Sequence, residues 1–252
     1  MFFEKNIPEC VWVDFSRIPL IQSGKTGRVI FTGNRGRMMN IRNWTKLFGK
    51  TLFIGGFVTI VAGFAIQWDQ YADLFLNFQI GKMVAVSLWL LGMGFIFSVI
   101  SQMGFFAYLT VHRIGLGIFR SLWSGVQSVL IAFALFDLVY FRYQIFAKEG
   151  DPVWPYLIPA FLIFLAGLVI AFWKRKQTNR HSFLPTLFFM TVVTILEWVP
   201  VLRVNDTDWL QLMIYPLIVC NSYQILSLPS YLAKSRAERE ARQSGPEAVS
   251  NS

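Results

Sequence analysis

The sequence predicts an all-α polytopic membrane protein, a bundle of six transmembrane helices with both termini in the cytoplasm. Three observations support this prediction. Hydrophobic residues make up 55% of the 252-residue chain and charged residues only 15%, whereas about a quarter of the residues in a soluble domain are charged. The apolar residues are gathered in long runs, and about 20 such residues cross a bilayer as a helix. The basic residues concentrate at alternate ends of these runs, as the positive-inside rule requires.

Six apolar runs have the length of a membrane span. They do not alternate apolar and polar residues as barrel strands do. Since backbone inside lipid must satisfy its own hydrogen bonds, each run is predicted to be a helix. The predicted spans are residues 51–67, 83–111, 117–141, 153–173, 183–201 and 210–228. They belong to one membrane domain, residues 39–232.

The two ends of the chain differ from this domain. Residues 1–38 have mixed polarity and no helical period. Two interpretations remain open: a short cytosolic tail, or a non-native or disordered extension ahead of a true start at Met38 or Met39, which we favour. Residues 233–252 are charged and then small and polar, which predicts a cytoplasmic tail that ends in disorder.

The basic residues from Met39 onward predict the orientation. The ends assigned to the cytoplasm hold Arg42, Lys46, Lys50, Arg113, Arg120, Lys174, Arg175, Lys176, Arg180, Lys234, Arg236, Arg239 and Arg242. The opposite ends hold Lys82, Arg142, Lys148 and Arg203. This asymmetry places both termini inside. Topology therefore accounts for the net charge of +9, and the expected surroundings are a lipid bilayer rather than nucleic acid.

Small residues recur at four-residue spacing in the first three predicted spans. Residues four apart share a helix face, and faces of small residues let membrane helices approach closely. We predict that these residues pack helices together, with a ligand groove as the alternative. They are Gly55, Thr59 and Gly63, then Gly94 and Ser98, and then Gly117, Ser121 and Gly125.

Two acidic residues, Asp137 and Glu197, lie inside apolar runs, towards the predicted outer ends of their helices. Ionisable groups are costly at such positions, so each one suggests a function. Two roles remain open. The acids are structurally paired, with Arg142 and Arg203 nearby in sequence, or they sense or bind an ion, as in a small transporter or channel. Polar residues 221–224 of the last span predict hydrogen bonds between helices.

No motif in the sequence indicates catalysis, a cofactor or a metal. The two histidines, His112 and His181, have no ligand partner at a useful spacing. We therefore predict no catalytic, cofactor-binding or metal site. Residues at the predicted cytoplasmic turns are candidates for contact with a partner or for anchoring at the membrane surface. They are His112, Arg113, Arg120, Lys174, Arg175, Lys176 and Arg180.

A long segment resembles a known family. Residues 101–123, SQMGFFAYLTVHRIGLGIFRSLW, followed by IAFALFDLVYFRYQIF, resemble the KinB-signalling pathway activation protein family (KbaA) of spore-forming Bacillus relatives. The resemblance extends over about residues 40–230. It implies a multi-pass protein in the cell membrane of a Gram-positive spore former, required to activate a membrane sensor histidine kinase that feeds the sporulation phosphorelay. It also implies a regulator rather than an enzyme, of unknown oligomeric state, and it carries no functional residues over to this chain.

Overall fold

The computed structural model describes residues 39–148, 150–204 and 206–244, and all regular structure in these ranges is helical. The predicted all-α class is confirmed. The α-helices of the described ranges are α1 (Ile41–Ile66), α2 (Trp68–Leu76), α3 (Ile80–Phe119), α4 (Trp123–Phe146), α5 (Trp154–Gln177), α6 (Phe183–Phe188), α7 (Thr194–Leu202) and α8 (Thr207–Ser244). A π-helical turn, Phe189–Val193, joins α6 to α7. The predicted extension of residues 1–38 lies outside the described residues.

Five helical segments of the described chain are long and apolar enough to cross a membrane. They are Ile41–Ile66, Ile80–Phe146, Trp154–Gln177, Arg180–Leu202 and Thr207–Ala241. The second segment contains both α3 and α4, which meet at the short 3-10 turn Arg120–Leu122. The predicted spans 83–111 and 117–141 both fall inside it. Only 22% of the most apolar stretch of α5 is buried inside the protein. The exposed apolar surface of this helix is therefore expected to contact lipid rather than water.

The long helices run in alternating directions between two apolar clusters. In α3, Leu90 belongs to one cluster and Phe105, further along, to the other. In α4 the order is reversed, because Ile131 belongs to the cluster of Phe105 and the later Leu138 to the cluster of Leu90. Helices α5 and α8 run in the direction of α3, whereas α1 and the segment from α6 to α7 run in the direction of α4. Helices α3 and α4 are therefore antiparallel.

Small residues allow α1 to lie directly against α3. A Cβ added to Gly94 would lie 2.6 Å from the Cα of Gly56, and one added to Gly63 would lie 2.6 Å from a methyl carbon of Leu90. A Cβ added to Gly55 would collide with the hydroxyl of Ser98. The first two predicted sets of small residues thus lie at one interface, which we call the α1–α3 seam.

The third predicted set does not form a contact between helices in the described part of the chain. Gly117, Ser121 and Gly125 are exposed, and a Cβ on either glycine would meet no atom within 4 Å. The reason is the turn at Arg120, which has a φ of 48°. It puts the two glycines on different helices, and α4 directs Trp123 inward instead.

Side chains at the start of α1 bond to the charged extension of α8. The amide nitrogen of Asn43 donates to the hydroxyl of Ser235 at 2.8 Å, and the backbone N–H of Asn40 donates to the same oxygen at 3.1 Å. Both asparagine side chains also donate to Glu238 at 3.2 Å. The first and last described helices are therefore joined at one end of the bundle. The part of the predicted tail that is described, residues 233–244, continues α8 as a helix.

Candidate functional site

Buried polar side chains lie between the two apolar clusters. Ser101 comes from α3, Thr194 and Glu197 from α7, and Asn221 and Gln224 from α8. We call these five residues the polar layer. In each of the three helices, residues of one cluster precede the layer and residues of the other follow it. The polar layer therefore lies near the middle of the bundle.

Asn221 is the centre of this hydrogen-bond network. Its amide nitrogen donates to Glu197 Oε2 at 2.7 Å and to the hydroxyl of Thr194 at 3.0 Å. Its carbonyl oxygen accepts from Ser101 at 2.7 Å. Gln224 in turn donates to the Ser101 oxygen at 2.6 Å. Hydrogen bonds of this kind are strong in a low-dielectric interior, and together they connect α3, α7 and α8.

The structure corrects the expected partner of Glu197. This residue lies five positions before α7 ends at Leu202, and its hydrogen-bond partner is Asn221 rather than Arg203. A Cβ on Gly104 would collide with Glu197 Oε1, so the absence of a side chain there makes room for the carboxyl group. The other predicted acid, Asp137, is half-buried on α4, outside the polar layer.

A groove of about 460 Å³ lies beside Glu197, between α3 and the segment from α6 to α7. Apart from the carboxyl group of Glu197 and the ring of Tyr108, its walls are apolar. The flanking side chains Met103 and Leu196 are 67% and 63% exposed, so the groove opens towards the outside of the bundle. The π-helical turn forms part of its wall, and such turns widen a helix locally.

Within this groove, Glu197 offers one unused acceptor. The residue is only 7% exposed, and its Oε1 atom has no hydrogen-bond partner among the described residues. This arrangement can accept a hydrogen bond from a molecule in the groove. In the described ranges, no group of three or more histidine, cysteine, aspartate or glutamate side chains could hold a metal ion.

The predicted contact residue His112 is buried instead of lying at the surface. The indole nitrogen of Trp123 donates to His112 Nδ1 at 3.0 Å. Because indole is only a donor, Nδ1 is the acceptor here. The Trp123 ring packs directly against Gly115 of α3, where a Cβ would lie 2.5 Å from the ring. His112 therefore connects the end of α3 to the start of α4, while Arg113 and Arg120 beside it are exposed.

Lys174 is a second correction, because it is 2% exposed. Its ammonium group donates to the backbone carbonyl of Ile225 in α8. In an uninterrupted helix that carbonyl would accept from residue 229, but Pro229 has no N–H. Lys174 therefore supplies the missing donor. It is buried because it lies on the face of α5 that turns Ala171 inward, whereas Arg175, Lys176 and Arg180 are exposed.

Sequence reasoning anticipated only part of the polar layer. It singled out Glu197 and the polar residues 221–224, and Asn221 and Gln224 do bond between helices. It missed Ser101 and Gly104. The available signal was the polar interruption SQMG at residues 101–104 within an apolar run. The π-helical turn left no sequence signal that we recognise.

Comparisons with known proteins relate the chain to one family. The family model described as KinB-signalling pathway activation in sporulation (KbaA) matches residues 55–231. The KinB-signaling pathway activation protein of Bacillus subtilis (strain 168) is 46% identical over 199 residues, which is 78% of this chain and 100% of that protein. No solved structure matches the chain.

Proposed function

Since the chain belongs to the KbaA family, we propose that it promotes activation of a KinB-type sensor histidine kinase in the sporulation phosphorelay. We infer that it acts by contact with other proteins and not by catalysis. The observation that carries this proposal is the match along the whole length of the Bacillus subtilis relative. Activation by contact requires only a bias between two kinase states, and about 1–3 kcal/mol is typical of such coupling.

The proposal includes six transmembrane spans and two cytoplasmic termini, in the cell membrane of a Gram-positive spore former. Two observations support it. The segment Ile80–Phe146 has 67 residues, enough for two crossings, and its two helices, α3 and α4, are antiparallel. The start of α1 and the extension of α8 lie at the same end of the bundle, and an even number of crossings requires this. The positive-inside rule then assigns the basic end to the cytoplasm.

The exposed basic residues at this end are the proposed contact surface for the kinase. Each of these residues can also bind anionic lipid head groups, which contributes about 1 kcal/mol per basic residue near the membrane surface. We propose that the same residues anchor the protein and contact the kinase. We call them the basic rim. Its members are Arg113, Arg120, Arg175, Lys176 and Arg180.

Complementation in cells tests the activating role. A spore former that lacks its own relative of this chain is supplied with the full chain, and kinase-dependent sporulation is counted. We expect restoration that disappears when the kinase gene is also deleted. Restoration without the kinase would contradict the proposal.

Photo-crosslinking in the same cells tests direct contact. A photoreactive residue replaces Arg113 or Arg120, and a matched control replaces Lys82, which lies at the start of α3, at the opposite end of that helix from Arg113. We expect a kinase crosslink from the basic rim and none from the control. Equal crosslinking from both ends would refute this surface.

A small-molecule or ion transporter or channel is the second candidate function. The observation in its favour is the unused acceptor of Glu197 beside an open groove. Solute flux into vesicles that contain the purified chain would support it, provided that Glu197→Gln or Asp137→Asn abolishes the flux. Asp137 is half-buried on α4 and is not one of the five residues of the polar layer, and we favour the signalling role.

A further inference from the structure

We propose that the groove beside Glu197 binds a single-chain amphiphile from the membrane, whose small head group donates a hydrogen bond to Glu197 Oε1. This binding site is independent of the kinase proposal, because it requires only the purified chain. Three properties of the groove lead to it, and they concern the acceptor, the walls and the depth.

The acceptor requires a donor from outside the chain. Buried polar atoms nearly always have a hydrogen-bond partner, yet Glu197 Oε1 has none among the described residues. Its neighbour Asn221 already uses its amide group for Glu197 Oε2 and Thr194. On the other side lies Gly104, which has no side chain to offer. A hydrogen bond to Oε1 must therefore come from a molecule in the groove.

The walls select an apolar body. The groove has a volume of about 460 Å³, within the range of small-molecule sites. Ile100, Ala107 and Val192 are among the apolar residues that line it. Because it opens between Met103 and Leu196 to the outside of the bundle, a hydrocarbon chain can enter sideways from the lipid.

The depth limits the head group. Glu197 Oε1 is a buried atom, at the inner wall of a groove that is otherwise mainly apolar. A head group that reaches this atom has left water behind. Charged phosphate and zwitterionic head groups are very costly there, which excludes ordinary phospholipids. A hydroxyl group is small and uncharged and supplies the required donor. An ammonium group also donates, but only pairing with the Glu197 carboxylate can offset the cost of its charge.

Matched photoreactive probes test this proposal on the full chain in phosphatidylcholine nanodiscs. Three probes share one ten-carbon diazirine chain and end in an alcohol, a primary amine or a methyl ether. We expect the alcohol or the amine to label peptides of α3 and of Arg180–Leu202 about fivefold more than the ether, the effect of one hydrogen bond. The stronger of the two identifies a neutral or a cationic head group. Equal labelling by all three would overturn the proposal, because the groove would then hold only hydrocarbon.

Two variants locate the binding. Glu197→Gln keeps an oxygen for Asn221 and turns an NH₂ group towards the groove. Because hydroxyl and ether oxygens both accept from NH₂, the preference for the alcohol or the amine over the ether should disappear. Ala107→Phe fills the groove without touching the polar layer, so labelling by every probe should fall while the thermal stability of the protein is unchanged. The control Asp137→Asn makes the same charge change elsewhere and should label as the original chain does.

Unchanged labelling in Ala107→Phe would overturn the proposal even if Glu197→Gln does not fold. Kinase activation is not measured in this experiment. Failure of the amphiphile proposal is therefore distinguishable from failure of the proposed signalling role.

Discussion

Two sets of small residues share the same four-residue spacing, but one lies at a contact between helices and the other is exposed. In the α1–α3 seam, Gly94 brings the backbones of two helices together. Around the turn that follows α3, Gly117 and Gly125 are exposed, and a Cβ added to either would meet no neighbouring atom within 4 Å. The comparison shows that spacing defines a face, while a contact also requires a neighbour that presents a complementary face. Helix α1 has that face, with Gly55 and Gly63.

Gly94→Leu should have the largest effect on stability. The new side chain would force α1 away from α3, because even a Cβ lies 2.6 Å from the Cα of Gly56. We expect a loss of about 3 kcal/mol, the upper range for overpacking, measured by reversible unfolding in mixed micelles. Gly92→Leu is the matched control, since nothing lies within 4 Å of its Cβ. Equal stability of the two variants would contradict the seam.

Asn221→Leu should rank second, since it removes the polar contact that α8 adds to the seam helix α3. The change leaves Ser101, Thr194 and Glu197 without their common partner. Because membrane hydrogen bonds are individually modest, we expect a total loss of about 2 kcal/mol. The same unfolding measurement applies. Ser222→Ala is the control, because that hydroxyl bonds to a carbonyl of its own helix.

Lys174→Met should cost about 1.5 kcal/mol, a typical value for a hydrogen bond from a charged group. The reason is the unpaired carbonyl of Ile225. In a Pro229→Ala background, residue 229 regains the N–H that this carbonyl lacks, so Lys174→Met should cost much less. A double-mutant cycle measures this difference. Strictly additive losses would show that Lys174 does not replace the donor missing at Pro229.

Gly117→Leu should have the smallest effect, below about 0.5 kcal/mol, as for most exposed substitutions. The same result is expected for Gly125→Leu. Unfolding of both variants beside Gly94→Leu compares the two sets of small residues directly. A loss as large as that of Gly94→Leu would mean that the exposed set packs against another surface after all.

Composition and run length were sufficient to predict the helical class, because lipid leaves a backbone few alternatives. They were also sufficient for the α1–α3 seam, where both partners carry the small-residue pattern. They failed for Lys174, whose acceptor, the carbonyl of Ile225, is left free by a proline 55 positions later in the chain. No local pattern around residue 174 contains that information.

His112 and Glu197 illustrate a second limit of sequence reasoning. His112 was expected at the surface and Glu197 near Arg203, whereas both are buried and have their hydrogen-bond partners in another helix, Trp123 and Asn221. Periodicity identifies residues on a common face, but it does not specify which face turns inward or how far along its neighbour a helix lies. The depth of Glu197 depends on that register, so the groove could not be predicted from the sequence.

The bonds between Asn40, Asn43, Ser235 and Glu238 have a consequence for biosynthesis. Asn43 and Ser235 are separated by 192 positions, so α1 leaves the ribosome long before its partner α8 exists. Until synthesis is complete, the buried amide of Asn43 has no Ser235 to bond. Closure between the first and last helices is therefore possible only after the chain has been synthesised through α8. A chain that is interrupted before α8 would present an open bundle edge to the quality-control proteases of the membrane.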